Sequence, residues 1–349
     1  MKRITVKLVA LLLALACLAV SPCVSALTIG DGLGALVAQF EQGAGPETDS
    51  YAIDYRYFSP VGKDDVKKYP LVIWLHGMGD GAEDGTQVSK SEIAYWTSDE
   101  FQSRFSPAGG AFVLAARSLE EKGKFWDNDL IEPLKAAIDD FIAKNKKNID
   151  LSRIYIGGYS MGGKMTLKMA VAYPEMFAAA FPICPAWAPS AEHVERLADM
   201  PVWLTSGTKD PLVNYYLIVT PTWMKLCEKS NVAADCRFST LSTVRYATGE
   251  KTSSSHHAWF AVNYDMFTTE NGDYHDMTTV DGNGNPVDLK YPDGMISWLS
   301  SHTSDYDGTP RTDIGTLYDG ADSNALISWE NVGYFFEYLK NAIIGFFTF

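Results

Sequence analysis

Short apolar segments alternate with helical patterns along most of this 349-residue chain, and this alternation is the feature that most restricts its fold. Strand, helix and strand in succession form a βαβ unit, which predicts a mostly parallel sheet with helices on both faces. Segments such as LVIWL and AAAFPI are apolar throughout, as expected of strands buried on both sides. The predicted strands cover 51–57, 71–75, 112–115, 154–156, 178–183, 202–205 and 243–246. The predicted helices cover 131–144, 161–172 and 221–229, with Thr220 placed to cap the last.

A glycine-rich turn lies where one predicted strand gives way to a helix. Its sequence, GYSMG at 158–162, matches a G-x-S-x-G turn in the strand-turn-helix context that this motif requires. The flanking glycines allow the strand and the helix to approach, and the serine side chain projects from the carboxyl edge of the sheet. Ser160 is therefore a candidate nucleophile, and the alternative is a glycine-rich turn with an incidental serine.

A serine nucleophile needs a base that is oriented by a carboxylate, and the chain offers both downstream. Asp210 follows the apolar run at 202–205, and the pair His256 and His257 follows the run at 243–246. The chain order serine, acid, histidine is typical of hydrolases with this turn. Asp210 could also be a plain turn residue, and the residues alone leave either histidine open as the base.

An acyl-transfer site also needs N–H donors for the developing oxyanion. Met161, directly after the serine, supplies one, and the loop HGMGDG could turn the N–H of Met78 toward the same point. We interpret His76 in that loop as a structural hydrogen-bonding residue. The acidic residues that follow favour a solvent loop over a metal site, so we expect neither a metal nor a cofactor.

Five segments together resemble the α/β-hydrolase esterases of the feruloyl esterase, polyhydroxybutyrate depolymerase and phospholipase/carboxylesterase type. They are KKYPLVIWLHGMGDG, NIDLSRIYIGGYSMGG, YPEMFAAAFPIC, SGTKDPLV and HHAW, within about residues 51–302. The resemblance implies an α/β-hydrolase fold, with Ser160 as nucleophile, Asp210 as acid and His256 as base. It also implies that the N–H groups of Met78 and Met161 bind the oxyanion.

The choice of His256 over His257 rests on the family pattern His-x-Ala/Ser-Trp. This sequence departs from the family in two ways, since Ser255 stands where a glycine usually precedes the base and the loop before it is long. We expect a serine ester hydrolase acting on a small or polysaccharide-linked ester, such as a feruloyl or acetyl-xylan ester. A serine peptidase and a non-catalytic binding protein are the alternatives. Candidate aromatic contacts to the substrate are Tyr159, Trp259 and Trp126.

The first 26 residues have the pattern of a cleaved secretory signal, with a basic start, an apolar run at 8–20 and Val-Ser-Ala before the cleavage point. An uncleaved anchor helix and a lipoprotein signal are the alternatives. We therefore expect a secreted or envelope-associated protein. Its net charge of −14 argues against nucleic acid and anionic membranes as electrostatic partners. A secreted context would allow a disulfide between Cys227 and Cys236, whereas Cys184 is expected to be a buried apolar residue.

The predicted hydrolase domain covers 27–305, followed by a polar linker at 306–328 and an amphipathic aromatic helix at 329–349. On this helix Val332, Phe335, Phe336 and Leu339 share a face, with Asn331 largely opposite. The helix is expected to dock on the protein or an envelope partner, with membrane-surface contact as the alternative. A chain ending at Asp305 is then expected to stay folded. In the insertion after the histidine pair, DGNGN at 281–285 predicts a hairpin turn rather than a calcium loop.

Overall fold

The computed structural model describes residues 33–48, 51–62, 66–90, 93–246, 249–265, 276–289, 294–309, 317–318 and 329–347. The predicted signal segment at 1–26 and most of the predicted linker lie outside these residues. Among the helices described, none is long and apolar enough to cross a membrane.

Nine strands form one sheet in the order β1-β2-β4-β3-β5-β6-β7-β8-β9. Strands β3 to β8 run parallel, and β1, β2 and β9 are antiparallel additions at the two edges. This architecture confirms the predicted α/β class with a mostly parallel central sheet. The strands are β1 (Glu41–Ala44), β2 (Asp54–Phe58), β3 (Tyr69–Leu75), β4 (Phe112–Ala116), β5 (Ile149–Tyr159), β6 (Ala179–Ile183), β7 (Trp203–Gly207), β8 (Arg237–Leu241) and β9 (Met277–Asp281).

Helices flank the sheet and join its parallel strands. They are α1 (Leu33–Val37), α2 (Thr86–Ser89), α3 (Asp99–Ser103), α4 (Ile131–Lys144), α5 (Met161–Ala172), α6 (Ala191–Glu195), α7 (Thr220–Lys229), α8 (Trp259–Asn263), α9 (Met295–Ser300) and α10 (Trp329–Phe347). Short 3₁₀ helices cover Ile93–Thr97, Glu120–Lys122, Asn128–Leu130 and Ser255–His257, and a π-helical turn covers Tyr215–Val219.

The fully apolar strand β3 contributes to a hydrophobic core on each side of the sheet. Leu71, Ile73 and Leu75 pack into one core, whereas Val72 and Trp74 pack into the other. Successive side chains of a strand point to opposite faces, so a strand covered on both faces must be apolar at every position. The continuous apolar run in the sequence therefore predicted this strand correctly.

Two local predictions before the histidine pair and before α7 are wrong. The last parallel strand is β8 at Arg237–Leu241, whereas residues 243–246 contribute only an isolated bridge between Arg245 and Lys251. Thr220 does not cap α7, because the π-helical turn already carries the chain into the helix and Asn214 caps that turn instead. The helices predicted at 131–144 and 161–172 are confirmed.

The insertion after the histidine pair adds β9 to the edge of the sheet beside β8. Asp281 accepts hydrogen bonds from the backbone of Asn283 and Asn285, and the N–H of Val287 donates to Thr279 O. These contacts confirm the predicted hairpin turn. Residues 266–275 of the insertion lie outside the described residues.

The thiols of the three cysteines in the described residues, Cys184, Cys227 and Cys236, are all free. The disulfide that the sequence allows between Cys227 and Cys236 is therefore not formed in this structure.

The C-terminal helix α10 packs on α7 through polar contacts at its start. The ammonium of Lys225, a side chain with no exposed surface, donates to Asn331 Oδ1 at 2.5 Å and lies 3.7 Å from Glu330. Asn331 is fully buried and also donates to Leu217 O, whereas Phe336 is 63% exposed. The sequence placed Asn331 on the outer face of the helix, and the structure shows the opposite because Lys225 needs a buried acceptor.

Candidate active site

Ser160 occupies a strained turn between β5 and α5. Its φ of 57° and ψ of −116° lie in a region that non-glycine residues rarely adopt. A Cβ atom on Gly158 would lie 2.3 Å from the carbonyl oxygen of Leu75, and one on Gly162 would lie 2.0 Å from the same atom. Only glycine fits at either position. This confirms the prediction that the flanking glycines allow the strand and the helix to approach each other.

Asp210 and His256 form a hydrogen-bonded pair at the carboxyl edge of the sheet. His256 Nδ1 lies 2.6 Å from Asp210 Oδ2, and the Asp210 side chain has no exposed surface. The other carboxylate oxygen accepts from the backbone N–H groups of Leu212 and Val213. Because Asp210 holds the proton-bearing Nδ1, the opposite ring nitrogen Nε2 is left as the basic atom.

The charge of Asp210 is set by two opposing effects. Burial raises the pKa of this carboxyl, but the hydrogen bond and the charge of His256, with the two backbone donors, outweigh burial and lower the pKa. Asp210 therefore stays ionised at neutral pH and orients His256.

Cys184 lies behind this pair, and ligand atoms of Cys184, Asp210 and His256 lie within 4.8 Å of one another. Burial raises the pKa of the Cys184 thiol, so the sulfur carries its proton rather than the negative charge that a metal ligand needs. Asp210 and His256 are already bonded to each other. The three residues fit an acid–base pair backed by a thiol better than a metal centre.

Backbone and ring contacts connect the serine turn to the acid–base pair. Ser160 N donates to Ile183 O, and the N–H of Ala186 donates to Ser160 O, on either side of Cys184. The ring of Trp259 stacks on Tyr159 at 4.0 Å and meets the ring of His256 edge-on at 6.3 Å. The structure thus brings the predicted nucleophile, acid and base to one region of the sheet edge.

The two predicted oxyanion donors lie in different loops, Met161 directly after Ser160 and Met78 after β3. Met161 is the first residue of α5, so its N–H points out of the helix start. Met78 lies in a turn after β3 that is closed by the hydrogen bond from Asp80 N to Gly77 O, and its side chain is 61% exposed. Gly79 N donates to the carboxylate of Glu120, which fixes this turn from the other side.

His76 has the structural role that the sequence predicts. Its ring is fully buried, accepts from Ser118 N at Nε2 and contacts Gly77 O through Nδ1 at 2.7 Å. Burial lowers the pKa of His76 to about 4, so the ring is neutral with its proton on Nδ1. His76 therefore links the loops after β3 and β4 as a hydrogen-bonding bridge.

Tyr159 connects the serine turn to the loop after β3 at residues 76–81, a role that sequence reasoning missed. Its buried hydroxyl donates a hydrogen bond to the carboxylate of Asp80, and its ring leaves no room for a side chain at Gly77. The ammonium of Lys90 lies 3.9 Å from the same carboxylate. The sequence signal for this contact was Asp80 in a glycine-rich segment, a pattern that is also typical of solvent-exposed loops.

The three aromatic residues predicted to contact a substrate lie differently. Trp126 is buried, packs on the His76 ring at 5.4 Å and donates to the His76 carbonyl, so it is a packing residue rather than a substrate contact. Tyr159 and Trp259 are largely buried against each other beside the serine turn. Their contact with a substrate stays a prediction.

The pair of Asp80 and Tyr159 gives a testable expectation for activity and stability. We expect Asp80→Leu to lower kcat more than it changes KM. Tyr159 then loses its hydrogen-bond acceptor, and the loop after β3 that contains Met78 is no longer held to the serine turn. The free energy of unfolding should fall by about 1–3 kcal/mol, the typical cost of an unpaired buried polar group. In the double variant with Tyr159→Phe the unpaired hydroxyl is gone, so the losses should be less than additive in chemical denaturation. Strict additivity would contradict this coupling.

The same carboxyl makes stability depend on pH. Burial raises the pKa of Asp80 to about 6, even though its bond to Tyr159 and the charge of Lys90 act in the opposite direction. Because the folded state then holds this proton more tightly than the unfolded chain, the wild type should lose stability relative to Asp80→Asn as pH rises from about 4 to 6. Thermal melting of both proteins across this range measures the difference, and parallel profiles would count against it.

Parts of this chain are similar to known proteins, both in sequence and in structure. Residues 117–242 match the family model of Phospholipase/Carboxylesterase. A thermostable esterase has a similar structure, with a TM-score of 0.57 and 25% identity over 77% of this chain and 64% of that chain. Est1E from Butyrivibrio proteoclasticus aligns with a TM-score of 0.41 and 17% identity, over 57% of this chain and 87% of that one.

A matching segment also occurs in Dipeptidyl aminopeptidase A of Saccharomyces cerevisiae. It is 32% identical over 128 residues, which are 34% of this chain and 13% of that protein. The present chain thus spans only about an eighth of this curated relative, and somewhat less than two thirds of the thermostable esterase.

Proposed function

We propose that this chain, an α/β-hydrolase of the esterase type, is a serine ester hydrolase that acts through Ser160, Asp210 and His256. The observation that carries the proposal is the 2.6 Å pair of His256 and Asp210 at the same sheet edge as the strained Ser160 turn. This set of groups is what acyl transfer requires, since each has a defined task in the reaction.

In this mechanism His256 Nε2 takes the proton of the Ser160 hydroxyl as its oxygen attacks the ester carbonyl. The N–H groups of Met78 and Met161 bind the negative oxygen that forms. His256 then gives the proton to the leaving alcohol, and an acyl-serine remains. Water, deprotonated by the same nitrogen, attacks the acyl carbonyl. As the acyl–oxygen bond breaks and the acid leaves, His256 returns this proton to the Ser160 oxygen, which restores the hydroxyl.

The substrate class is proposed to be an acyl ester with an apolar or aromatic part, such as a feruloyl ester. Two exposed apolar side chains next to the proposed catalytic residues support this. Met78 lies in the loop proposed to bind the oxyanion, and Leu212, which is 73% exposed, is held beside Asp210 by the hydrogen bond from its N–H. An acetyl-xylan ester has a smaller acyl group and would use less of this surface. We also propose that the protein acts outside the cell or at the envelope, on the evidence of its first 26 residues alone.

A serine peptidase is the second candidate, favoured by the segment shared with Dipeptidyl aminopeptidase A. The same three residues can act on esters and amides, so the fold does not separate the two. The test is to measure kcat/KM on p-nitrophenyl esters of rising chain length, methyl ferulate, acetylated xylan and peptide anilides. We expect turnover of esters, whereas turnover of anilides alone would favour the peptidase. If no substrate is turned over and a fluorophosphonate labels no serine, the protein is a binding protein.

The neighbouring histidines provide a matched pair of variants. The ring of His257 packs against that of Trp259 in a tilted arrangement, with centroids 4.6 Å apart, and burial lowers the pKa of His257, so its ring packs as a neutral group. We expect His256→Ala to lose nearly all esterase activity, and His257→Ala to keep activity within about tenfold of the wild type because it loses only packing. Steady-state kinetics on p-nitrophenyl butyrate decides this, and the reverse order would move the base to His257.

A further inference from the structure

A second strained residue, Cys184, lies next to the turn of Ser160. Cys184 has a φ of 42°, and it is, like Ser160, one of four non-glycine residues with a positive φ in the part of the chain that the structure describes. A residue with a side chain keeps such a conformation only where surrounding contacts impose it. Here Cys184 N donates to Thr205 O of β7, and the carbonyl of the preceding Ile183 accepts from Ser160 N. These contacts fix the backbone from which the Cys184 side chain projects.

The sulfur of Cys184 lies against the acid–base pair. It is within 4.8 Å of a carboxylate oxygen of Asp210 and of a ring nitrogen of His256. The residue has no exposed surface, so its thiol does not reach a substrate. Any effect of this thiol on the reaction therefore passes through Asp210 and His256.

The thiol can act on the ionised Asp210 only as a hydrogen-bond donor. Burial raises the pKa of the Cys184 thiol, and the charge of Asp210 and a side-chain hydrogen bond to it act in the same direction, so the sulfur keeps its proton. A carboxylate has about four lone-pair sites and no proton to give. His256 contacts Oδ2, whereas the N–H groups of Leu212 and Val213 both donate to Oδ1. One acceptor site is thus left on the oxygen that His256 contacts.

We propose that Cys184 is a positioning residue, whose thiol donates to the carboxylate of Asp210 and holds it in place behind His256. The proposal rests on the proposed function, in which Asp210 orients the base. A donor on the carboxylate also disperses part of its negative charge, so Asp210 attracts the proton of the His256 imidazolium less strongly. The thiol therefore widens toward lower pH the range in which the ring is neutral and accepts the Ser160 proton.

Titratable groups reach His256 from three places in the chain. Asp210 comes from the loop after β7, Cys184 from the end of β6, and His257 from the same 3₁₀ helix as His256. Burial lowers the pKa of His257, and its ring is neutral where the base titrates. A change in the titration of His256 on substitution of Cys184 is then passed on by Asp210.

Three variants separate the thiol donor from simple packing. Cys184→Ala removes the donor, Cys184→Ser keeps a donor at the same position, and Cys236→Ala removes another buried thiol as the matched control. NMR of histidine-labelled protein follows the ring titration without a substrate, and the His256 signal is assigned by its absence in His256→Gln. We expect the titration midpoint of His256 to rise by about 0.5 pH unit in Cys184→Ala, the fraction of a hydrogen bond that reaches the ring. It should stay near the wild-type value in Cys184→Ser and in the control.

The same proteins are compared in turnover of p-nitrophenyl butyrate. Cys184→Ala should lower kcat about three- to tenfold, the value of one hydrogen bond, and leave KM nearly unchanged because the thiol lies out of reach of the substrate. The acid limb of its kcat/KM profile should move to higher pH with the NMR midpoint. Cys184→Ser should recover both quantities, and Cys236→Ala should match the wild type.

An unchanged titration midpoint in folded Cys184→Ala, an equal shift in the control, or a serine variant that behaves like the alanine variant would overturn the proposal. If Cys184→Ala does not fold, the S–H infrared band of Cys227→Ser/Cys236→Ser provides the test, since the other two described thiols are then gone. This band should move to higher frequency as His256 becomes protonated and draws charge from Asp210, and a band that stays in place would refute the contact. A shifted midpoint in a protein that hydrolyses no ester would support the contact and refute only the proposed function.

Discussion

The Ser160→Ala variant is expected to lose about 10⁶ in kcat for ester hydrolysis, the typical loss when a triad nucleophile is removed. The reason is that no acyl-serine can form, while the remaining N–H donors provide only weak residual catalysis. Organophosphate labelling should disappear with the activity. Stability should change little or increase, because alanine keeps the turn and removes only an oxygen from a half-buried position.

The measurement is kcat/KM on p-nitrophenyl butyrate together with fluorophosphonate labelling followed by mass spectrometry. Ser103→Ala, which changes an exposed serine on α3, is the matched control and should keep full activity and labelling. Activity of Ser160→Ala within tenfold of the wild type, in a preparation free of wild-type protein, would show that Ser160 is not the nucleophile.

The serine turn could be predicted from sequence because its requirements are local. Gly158 and Gly162 are needed because a side chain at either position would collide with the carbonyl oxygen of Leu75. The two glycines of the G-x-S-x-G motif are therefore a direct sequence signal of this close packing. The order of serine, acid and histidine follows from parallel strands, which place successive carboxyl ends at one sheet edge. Asp210 and His256 could therefore be proposed as partners although 46 residues separate them.

Other features depend on distant contacts that no short segment records. The sequence predicts Tyr159 as a substrate contact but does not indicate that its hydroxyl donates to Asp80, which only the fold shows. The last parallel strand was placed at 243–246 because that segment has apolar residues, whereas RFSTL at 237–241 is half polar. Its polar side chains are satisfied across strands, for example Ser239 by Trp203 and Thr279, so pairing outweighs composition.

The second large effect is expected at the C-terminal helix, where the contacts of Lys225 change the expectation drawn from sequence. A chain ending at residue 328 lacks Asn331 and Glu330, which leaves a buried ammonium with Pro189 O as its remaining described acceptor. Breaking a buried charge interaction typically costs about 3–5 kcal/mol, so the free energy of unfolding should fall by that order. A chain ending at Asp305 should fall further, because Tyr318, stacked on His193, also leaves.

A rescue variant separates this cause from simple loss of surface. If the unpaired ammonium is the main cost, Lys225→Met should restore much of the stability of the chain ending at residue 328, since methionine fills a similar volume without a charge. In the full-length protein Phe336→Ser should leave stability within about 0.5 kcal/mol, because that side chain is exposed.

Urea denaturation followed by tryptophan fluorescence measures the stability of four proteins: the full-length wild type, full-length Phe336→Ser, the chain ending at residue 328 and the same shortened chain with Lys225→Met. A shortened chain as stable as the full-length protein would show that α10 is an independent appendage, as the sequence suggested. Destabilisation that Lys225→Met leaves unchanged would instead place the stabilising contacts elsewhere on the helix.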